Sequence, residues 1–435
     1  MKFPEISQTY SIFLKFQNVI IDSRNATANS IFFALKGDNF DGNKFAASAL
    51  EQGCNYAVID DEQYYNGEKY ILVKDCLSTL QALAKHHREK FNIPFIAITG
   101  SNGKTTTKEL IKNILSKKYK VLATIGNLNN HIGVPLTILS ITSDIEIAVI
   151  EMGANHTGEI AALCEIAQPD FGLITNIGRA HLGEFGSFEN VIKAKTELFQ
   201  YIRKNQGKIF INSENDLLIS HSNGMDKITY GISKQANCSC RFVDSNPFLK
   251  MKYEGEIISS QLIGKYNFEN ISAAICIGKY FGVPTEKIKS AIEEYVPSNN
   301  RSQVEKTKTN MLILDAYNAN PSSMRVAIEN FDDMSGENKW LILGDMLELG
   351  EYEIQEHKNI LQLIQEKKFQ NVILVGERFS KALTEMKIKF PHQFLFRNAD
   401  EMVKRFQENS PINKSSLILI KGSRGIKLEK VVEFL

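Results

Sequence analysis

The sequence predicts an α/β protein of three units, the middle one a parallel sheet built around a phosphate-binding loop. Three observations predict it. The chain has 435 residues, long enough for about three domains of ~150 residues each. Phe95 to Thr107 reads FIAITGSNGKTTT, a short buried strand, a glycine turn and the start of a helix. Beyond residue 298, strands alternate with helices, the pattern of a mainly parallel sheet.

The central stretch organises the rest. Phe95 to Thr99 are apolar or β-branched and read as a buried strand. Gly100, Ser101, Asn102 and Gly103 turn the chain. Lys104, Thr105 and Thr106 open a segment to Lys117 with helical apolar spacing at Leu110, Ile111, Ile114 and Leu115. The glycines let backbone N–H groups approach phosphate oxygens, and the helix start favours anions. Lys104 can reach the β/γ-phosphates and Thr105 can hold Mg²⁺. The P-loop pattern G-x-x-x-x-G-K-[ST] would place a glycine where Ile98 stands. The Gly-Lys-Thr-Thr core in its strand-to-helix context favours phosphate over a turn with a surface lysine.

Residues 1–92 read as a small α/β domain. Strands are expected at Asn18 to Asp22, Ser30 to Leu35, Tyr56 to Asp60 and Tyr70 to Val73, with helices at Lys44 to Gln52 and Leu77 to Phe91. Ser23 and Arg24 set a hydroxyl beside a guanidinium at a strand end. Gly37, Asp38 and Asp41 lie in a glycine-rich turn. Both could bind an anion, or be a surface salt bridge and a plain loop. Pro94 marks the boundary.

Residues 93–297 form the central domain. After a strand at Lys120 to Ala123 comes a loop dense in amides and glycine, with Asn127 and Asn130 as substrate candidates or as a capped turn. Glu146 to Ile150 is a strand ending in Glu151, the position where nucleotide-binding enzymes place a Mg²⁺ ligand. Helix is expected at Gly158 to Ala167, and a strand at Phe171 to Thr175. His181 could bind metal or cap a turn. Ser187 to Tyr201 is a helix whose Lys193, Lys195 and Glu197 read, from the residues alone, as a solvated face. Residues 227–263 read as short strands and turns. A helix begins near Glu269 and Asn270.

Residues 298–435 form the third domain. Its expected strands, Met311 to Leu314, Trp340 to Leu343, Val372 to Val375 and Leu417 to Ile420, end in polar or glycine-rich sequence. Ligands bind beyond the carboxyl ends of such strands. Asp315, Tyr317, Asn318 and Asn320 follow the first.

Composition excludes several classes. Lys and Arg number 51 against 50 Asp and Glu, so no general nucleic-acid-binding role is indicated. The N-terminal residues carry no apolar signal core, and no run of ~18 apolar residues suggests a membrane span. Six scattered cysteines fit a reduced, cytoplasmic protein better than a disulfide scaffold. Cys238 and Cys240 lack a partner pair at zinc spacing.

In order along the chain, DSR, LKGDNFDG, TGSNGKTTTKE, GNLNNHIGVPLT, EMGANHTGEI, TNIGRAHLGEFGS, AKTELF, DAYNANPSSM, LGDMLELGE and KGSRG resemble the Mur ligases of peptidoglycan synthesis. The resemblance spans nearly the whole chain. It implies a UDP-sugar domain, an ATP domain with a shortened P-loop, and a Rossmann-like C-terminal domain for the incoming amine. It implies an ATP-dependent ligase, acting as a monomer, that joins D-alanyl-D-alanine to a UDP-N-acetylmuramoyl-tripeptide through an acyl phosphate. Lys104 would bind phosphate, and Thr105, Glu151 and His181 would bind Mg²⁺. Lys195 matches a lysine that family members carry as a carbamate, which could hold Mg²⁺ where an ammonium would repel it. Asn270, Arg301 and Asp315 would contact nucleotide. Ser23, Arg24 and the turn at 37–42 would lie near the uridine diphosphate. Tyr317, Asn318 and Asn320 would line the C-terminal side of the cleft. A sibling ligase, a folylpolyglutamate-type ligase and a nucleotide-switched P-loop regulator are the alternatives, separated by substrate-dependent turnover.

Overall fold

The computed structural model describes residues 3–179, 182–298 and 300–435. Among these residues the chain builds three main sheets. The first is four-stranded and parallel, in the order Val19–Ile20, Ile31–Phe33, Tyr56–Ile59, Tyr70–Leu72. The stretch at 36–42, expected as a polar, glycine-rich turn, contains a small hairpin of Lys36–Gly37 and Phe40–Asp41. The N-terminal helix Ile6–Phe16 has no counterpart in the sequence reading. It packs Tyr10 and Phe13 inward, against the helix Cys76–Arg88, which Asp75 caps by accepting from Ser78 N–H at 2.6 Å.

The central sheet sets Phe95–Thr99 between Phe171–Ile174 and Ile147–Glu151, all parallel. Every residue of Phe95–Thr99 is buried, as a strand covered on both faces requires. Val121–Ala123 closes one edge. On the other side follow Lys208–Asn212, Asp226–Gly231 and Cys238–Asp244. Phe248–Tyr253 and Glu256–Ile263 extend it as an antiparallel meander. The region 227–263 is strands and turns as expected, the four strands of six to eight residues all lying in this one sheet.

The third sheet runs Gln303–Lys306, Met311–Asp315, Leu417–Lys421, Lys339–Gly344, Asn371–Val375, His392–Phe396. All neighbours are parallel except the first pair. The two outer strands, Gln303–Lys306 and His392–Phe396, were not expected from the sequence.

The cores follow these layers. One apolar cluster runs from Tyr10 to Met225, merging the N-terminal unit with one face of the central sheet. A second fills the other face, beneath the helices Lys104–Leu115 and Asn267–Tyr280. Two more cover the faces of the third sheet. All six cysteines are buried and free.

Candidate active site

The carboxyl end of Phe95–Thr99 delivers the glycine turn. Gly100 and Gly103 have φ of +141° and +79°, conformations open to glycine and strained for other residues. A Cβ on Gly103 would stand 2.5 Å from Asn270 Oδ1, and one on Gly100 2.1 Å from Thr175 Oγ1. The turn is thus pressed against the neighbouring strand end and the helix Asn267–Tyr280. Asn102 is held in turn, its N–H donating to Asn176 Oδ1 at 3.0 Å and its carbonyl accepting from Thr175 Oγ1 at 2.6 Å. Thr107 donates to Asn270 Oδ1 at 3.1 Å.

Lys104 curls back on its own loop, its ammonium donating to the Gly100 and Ser101 carbonyls at 2.7 and 3.2 Å. Burial lowers its pKa, opposed by the Glu151 charge and assisted by Arg301. A phosphate entering the turn would supply the counter-charge that these carbonyls replace only in part.

Glu151 closes the next strand and is 1% exposed. Thr105 Oγ1 donates to its Oε1 at 3.1 Å, and Asn129 Nδ2 to the same oxygen at 2.7 Å. Among the described residues its Oε2 has no hydrogen-bond partner, and it is buried. An orphaned carboxylate oxygen beside a P-loop hydroxyl fits a hard cation. Among the described residues no group of three or more His, Cys, Asp or Glu could hold a metal by itself. Mg²⁺ takes one or two protein oxygens and completes its shell with phosphates and water, and Thr105 Oγ1 and Glu151 are oxygens of that kind.

Lys195 corrects the residue-level reading of its helix. Phe188–Lys204 does expose Lys193, but it buries Lys195 and Glu197. Among the described residues, the Lys195 ammonium donates to Ala154 O at 3.3 Å. Burial and the Lys104 charge push its pKa down to about 7. Glu197 accepts from the N–H groups of Gly158 and Ala161 at 2.6 and 3.0 Å, tying Glu159–Ala167 to the Lys195 helix. His181 lies outside the described residues.

The C-terminal sheet meets this site head-on. Asp315 accepts from Ser302 N–H at 3.3 Å and from the Lys421 ammonium at 2.5 Å. The Arg301 guanidinium lies 3.6 Å from the Tyr317 ring centre. Asn320 caps the helix Pro321–Asp333 in a reciprocal pair with Ser323, and its Nδ2 donates to Asn102 Oδ1 at 2.9 Å. Ser322 accepts from Arg179 N–H at 3.0 Å. Beside them Gly183 N–H donates to Glu348 O at 3.2 Å, and no side chain would fit between Gly183 and Gly350.

A cleft of about 980 Å³ lies between these parts. Ser101 to Thr106, Asn127, Asn130, Glu151, Asn270, Arg301, Asp315, Tyr317, Asn318 and Asn320 all line it. Lys195 sits one layer behind, reaching the wall through Ala154. Ser23, Arg24, Gly37, Asp38 and Asp41 do not line it. They cluster instead at the carboxyl ends of adjacent strands of the first sheet. There Arg24 pairs with Asp22 at 2.6 Å, and Asp41 accepts from Asn43 N–H at 3.0 Å. Sequence reasoning missed Asn129 and Lys421 as site residues. Asn129 sits in the amide-rich loop already singled out, and Lys421 ends a strand whose polar tail was noted.

Three family models match the chain in sequence. The Mur ligase family, catalytic domain, matches residues 15–88, the Mur ligase middle domain residues 98–278, and the Mur ligase, glutamate ligase domain residues 300–424. The chain belongs to the Mur ligase family. This Mur ligase is 35% identical to the UDP-N-acetylmuramoyl-tripeptide–D-alanyl-D-alanine ligase of Bacillus subtilis, over 95% of this chain and 92% of that one. It superposes on a crystal structure of MurF from Acinetobacter baumannii with a TM-score of 0.85 and 30% identity, covering 96% and 93% of the two chains. MurF ligase from Thermotoga maritima, in complex with ADP, gives a TM-score of 0.83 at 26% identity, with 97% of each chain covered. No helix among the described residues is long and apolar enough to cross a membrane.

Proposed function

We propose that this Mur ligase joins D-alanyl-D-alanine to UDP-N-acetylmuramoyl-tripeptide at the expense of ATP, in cytoplasmic peptidoglycan precursor synthesis. The observation that carries it is one cleft in which a P-loop faces the carboxyl ends of a second parallel sheet, joined by Asn102 and Asn320. The name and near-full-length coverage of the Bacillus subtilis relative support the substrates.

In this reading the backbone N–H groups of the glycine turn and Lys104 hold the β- and γ-phosphates. Thr105 and Glu151 would hold Mg²⁺, which when bound neutralises charge on the phosphoryl oxygens. Lys195, as a carbamate, would add a second anion to that side of the cleft. The terminal carboxylate of the tripeptide attacks the γ-phosphorus and ADP leaves, giving an acyl phosphate. The free amine of D-alanyl-D-alanine attacks the acyl carbon and loses a proton, and inorganic phosphate departs. Asn270, Arg301 and Asp315 would contact the nucleotide, while Tyr317, Asn318 and Asn320 present the dipeptide side. Ser23, Arg24 and the 37–42 hairpin would hold the uridine diphosphate at the far end. Domain limits at 1–92, 93–297 and 298–435 fit this division. Rate enhancement comes from positioning and charge neutralisation, with no protein nucleophile.

Phosphate release from ATP–Mg²⁺ tests it, with the tripeptide substrate and with or without D-alanyl-D-alanine. Release that needs both, with a pentapeptide product, is expected. Release only with the dipeptide substrate and a diamino acid would assign a sibling reaction, and nucleotide binding without turnover would sink the ligase reading.

A further inference from the structure

The two oxygens of the Glu151 carboxylate have unequal surroundings. Oε1 receives both Thr105 and Asn129, and among the described residues Oε2 is buried with nothing to accept. An arrangement that leaves a buried acceptor empty is costly unless something else fills it.

The backbone under Glu151 is already fixed. Its N–H donates to Thr124 Oγ1 at 2.9 Å, and the Thr124 carbonyl accepts from the fully buried ammonium of Lys108. Where the carboxylate oxygens point is then set by the side-chain torsions and by what the oxygens accept. Thr105 does not decide that direction, because a hydroxyl turns to follow its acceptor. Asn129 does decide it. The Asn129 carbonyl accepts from Gly153 N–H at 2.8 Å, and its side-chain Oδ1 would stand 2.9 Å from a Cβ on Gly153. The residue is thus wedged against the strand end it serves. Turning the amide over would set two oxygens 2.7 Å apart, so the NH₂ must face the carboxylate.

We propose that Asn129 is a positioning residue that pins Glu151 Oε1, so that Oε2 is presented unpartnered to the divalent cation accompanying the nucleotide. The proposal rests on the assignment of Glu151 as a cation ligand given above. Partners of this kind behind a metal ligand typically cost about 10- to 100-fold in metal affinity when removed.

Calorimetric binding of the ATP analogue AMP-PNP to the full chain, across a Mg²⁺ titration, tests this with Asn129→Ala and Glu151→Gln beside the wild type. The expected result is unchanged Mg²⁺-free binding for Asn129→Ala, with about 10-fold more Mg²⁺ needed for half of the Mg²⁺-dependent gain. An unchanged Mg²⁺ requirement in Asn129→Ala, with a raised one in Glu151→Gln, would overturn the positioning role alone. An unchanged requirement in both would overturn the cation assignment itself. Loss of Mg²⁺-free binding in Asn129→Ala would make Asn129 a loop scaffold and also overturn the proposal. Asn129→Ser, whose hydroxyl is too short to reach Glu151, repeats the measurement should the alanine variant fold poorly.

Discussion

Asn320 Nδ2 donates to Asn102 Oδ1 at 2.9 Å, so the residue that caps a C-terminal helix also touches the nucleotide loop. The two jobs can be separated. Serine is a good N-cap but cannot span to Asn102. In Asn320→Ser the melting temperature should hold and AMP-PNP affinity should stay near wild type. Turnover with both substrates should fall about 2- to 10-fold, the worth of one neutral hydrogen bond. Equal turnover in steady-state assays would show the bridge to be incidental.

Gly103 has both a positive φ and no room for a side chain. Gly103→Ala should lose ~1–3 kcal/mol of stability to backbone strain. It should also weaken nucleotide binding, because the new Cβ displaces Asn270 from Thr107. Denaturant titration and AMP-PNP calorimetry on the same preparation check the two effects together.

His357 is fully buried, its Nε2 accepting from Met346 N–H at 3.0 Å and its Nδ1–H donating to Glu353 O at 2.6 Å. The ring is therefore neutral in the native state. Burial pushes its pKa below the usual histidine range, opposed by its bond to the Glu353 carbonyl and by Asp345, and assisted by Arg378. The unfolded chain protonates near the ordinary value of about 6.5 while the folded one does not, so stability falls as pH drops through that window. The urea midpoint should fall between about pH 7.5 and about pH 5.5, and fall less in His357→Gln. The slope left in the variant should include His87, also buried with a lowered pKa. Identical slopes in both proteins would refute the assignment.

Lys195, with a pKa near 7, is substantially a neutral amine at neutral pH, the form that adds carbon dioxide. The carbamylated fraction should rise as pH rises through that value. Carbon-13 bicarbonate should give a carbamate carbonyl signal in the wild type and none in Lys195→Arg. No signal in the wild type would leave Lys195 as a buried amine.

The sequence showed most where local chemistry determines structure. The run from Phe95 to Leu115 was visible because a β-branched strand, glycines at forced φ and an apolar helix face coincide. Ile6–Phe16 was not, because its N-cap is Glu5, a weak signal, and exposed Leu14 blurs its apolar face. Gln303–Lys306 is polar and lies at an edge, where alternation means little. Lys195 could not be read from its helix, since charge pattern does not report what packs on top. Asn129 acquires a role only once tertiary structure brings it to Glu151, 22 residues away.

One apolar cluster joins Tyr10, Phe13 and Leu80 to Ile174, Leu198 and Met225, and so the N-terminal and central units share one core. A nascent chain that has released only its first hundred residues has made one side of an interface whose other side is not yet synthesised. The N-terminal unit keeps apolar surface uncovered until the helices Gly133–Leu139 and Glu159–Ala167, which pack on Cys76–Arg88, have left the ribosome. During synthesis that interval is the stage at which chaperone binding or aggregation competes with folding.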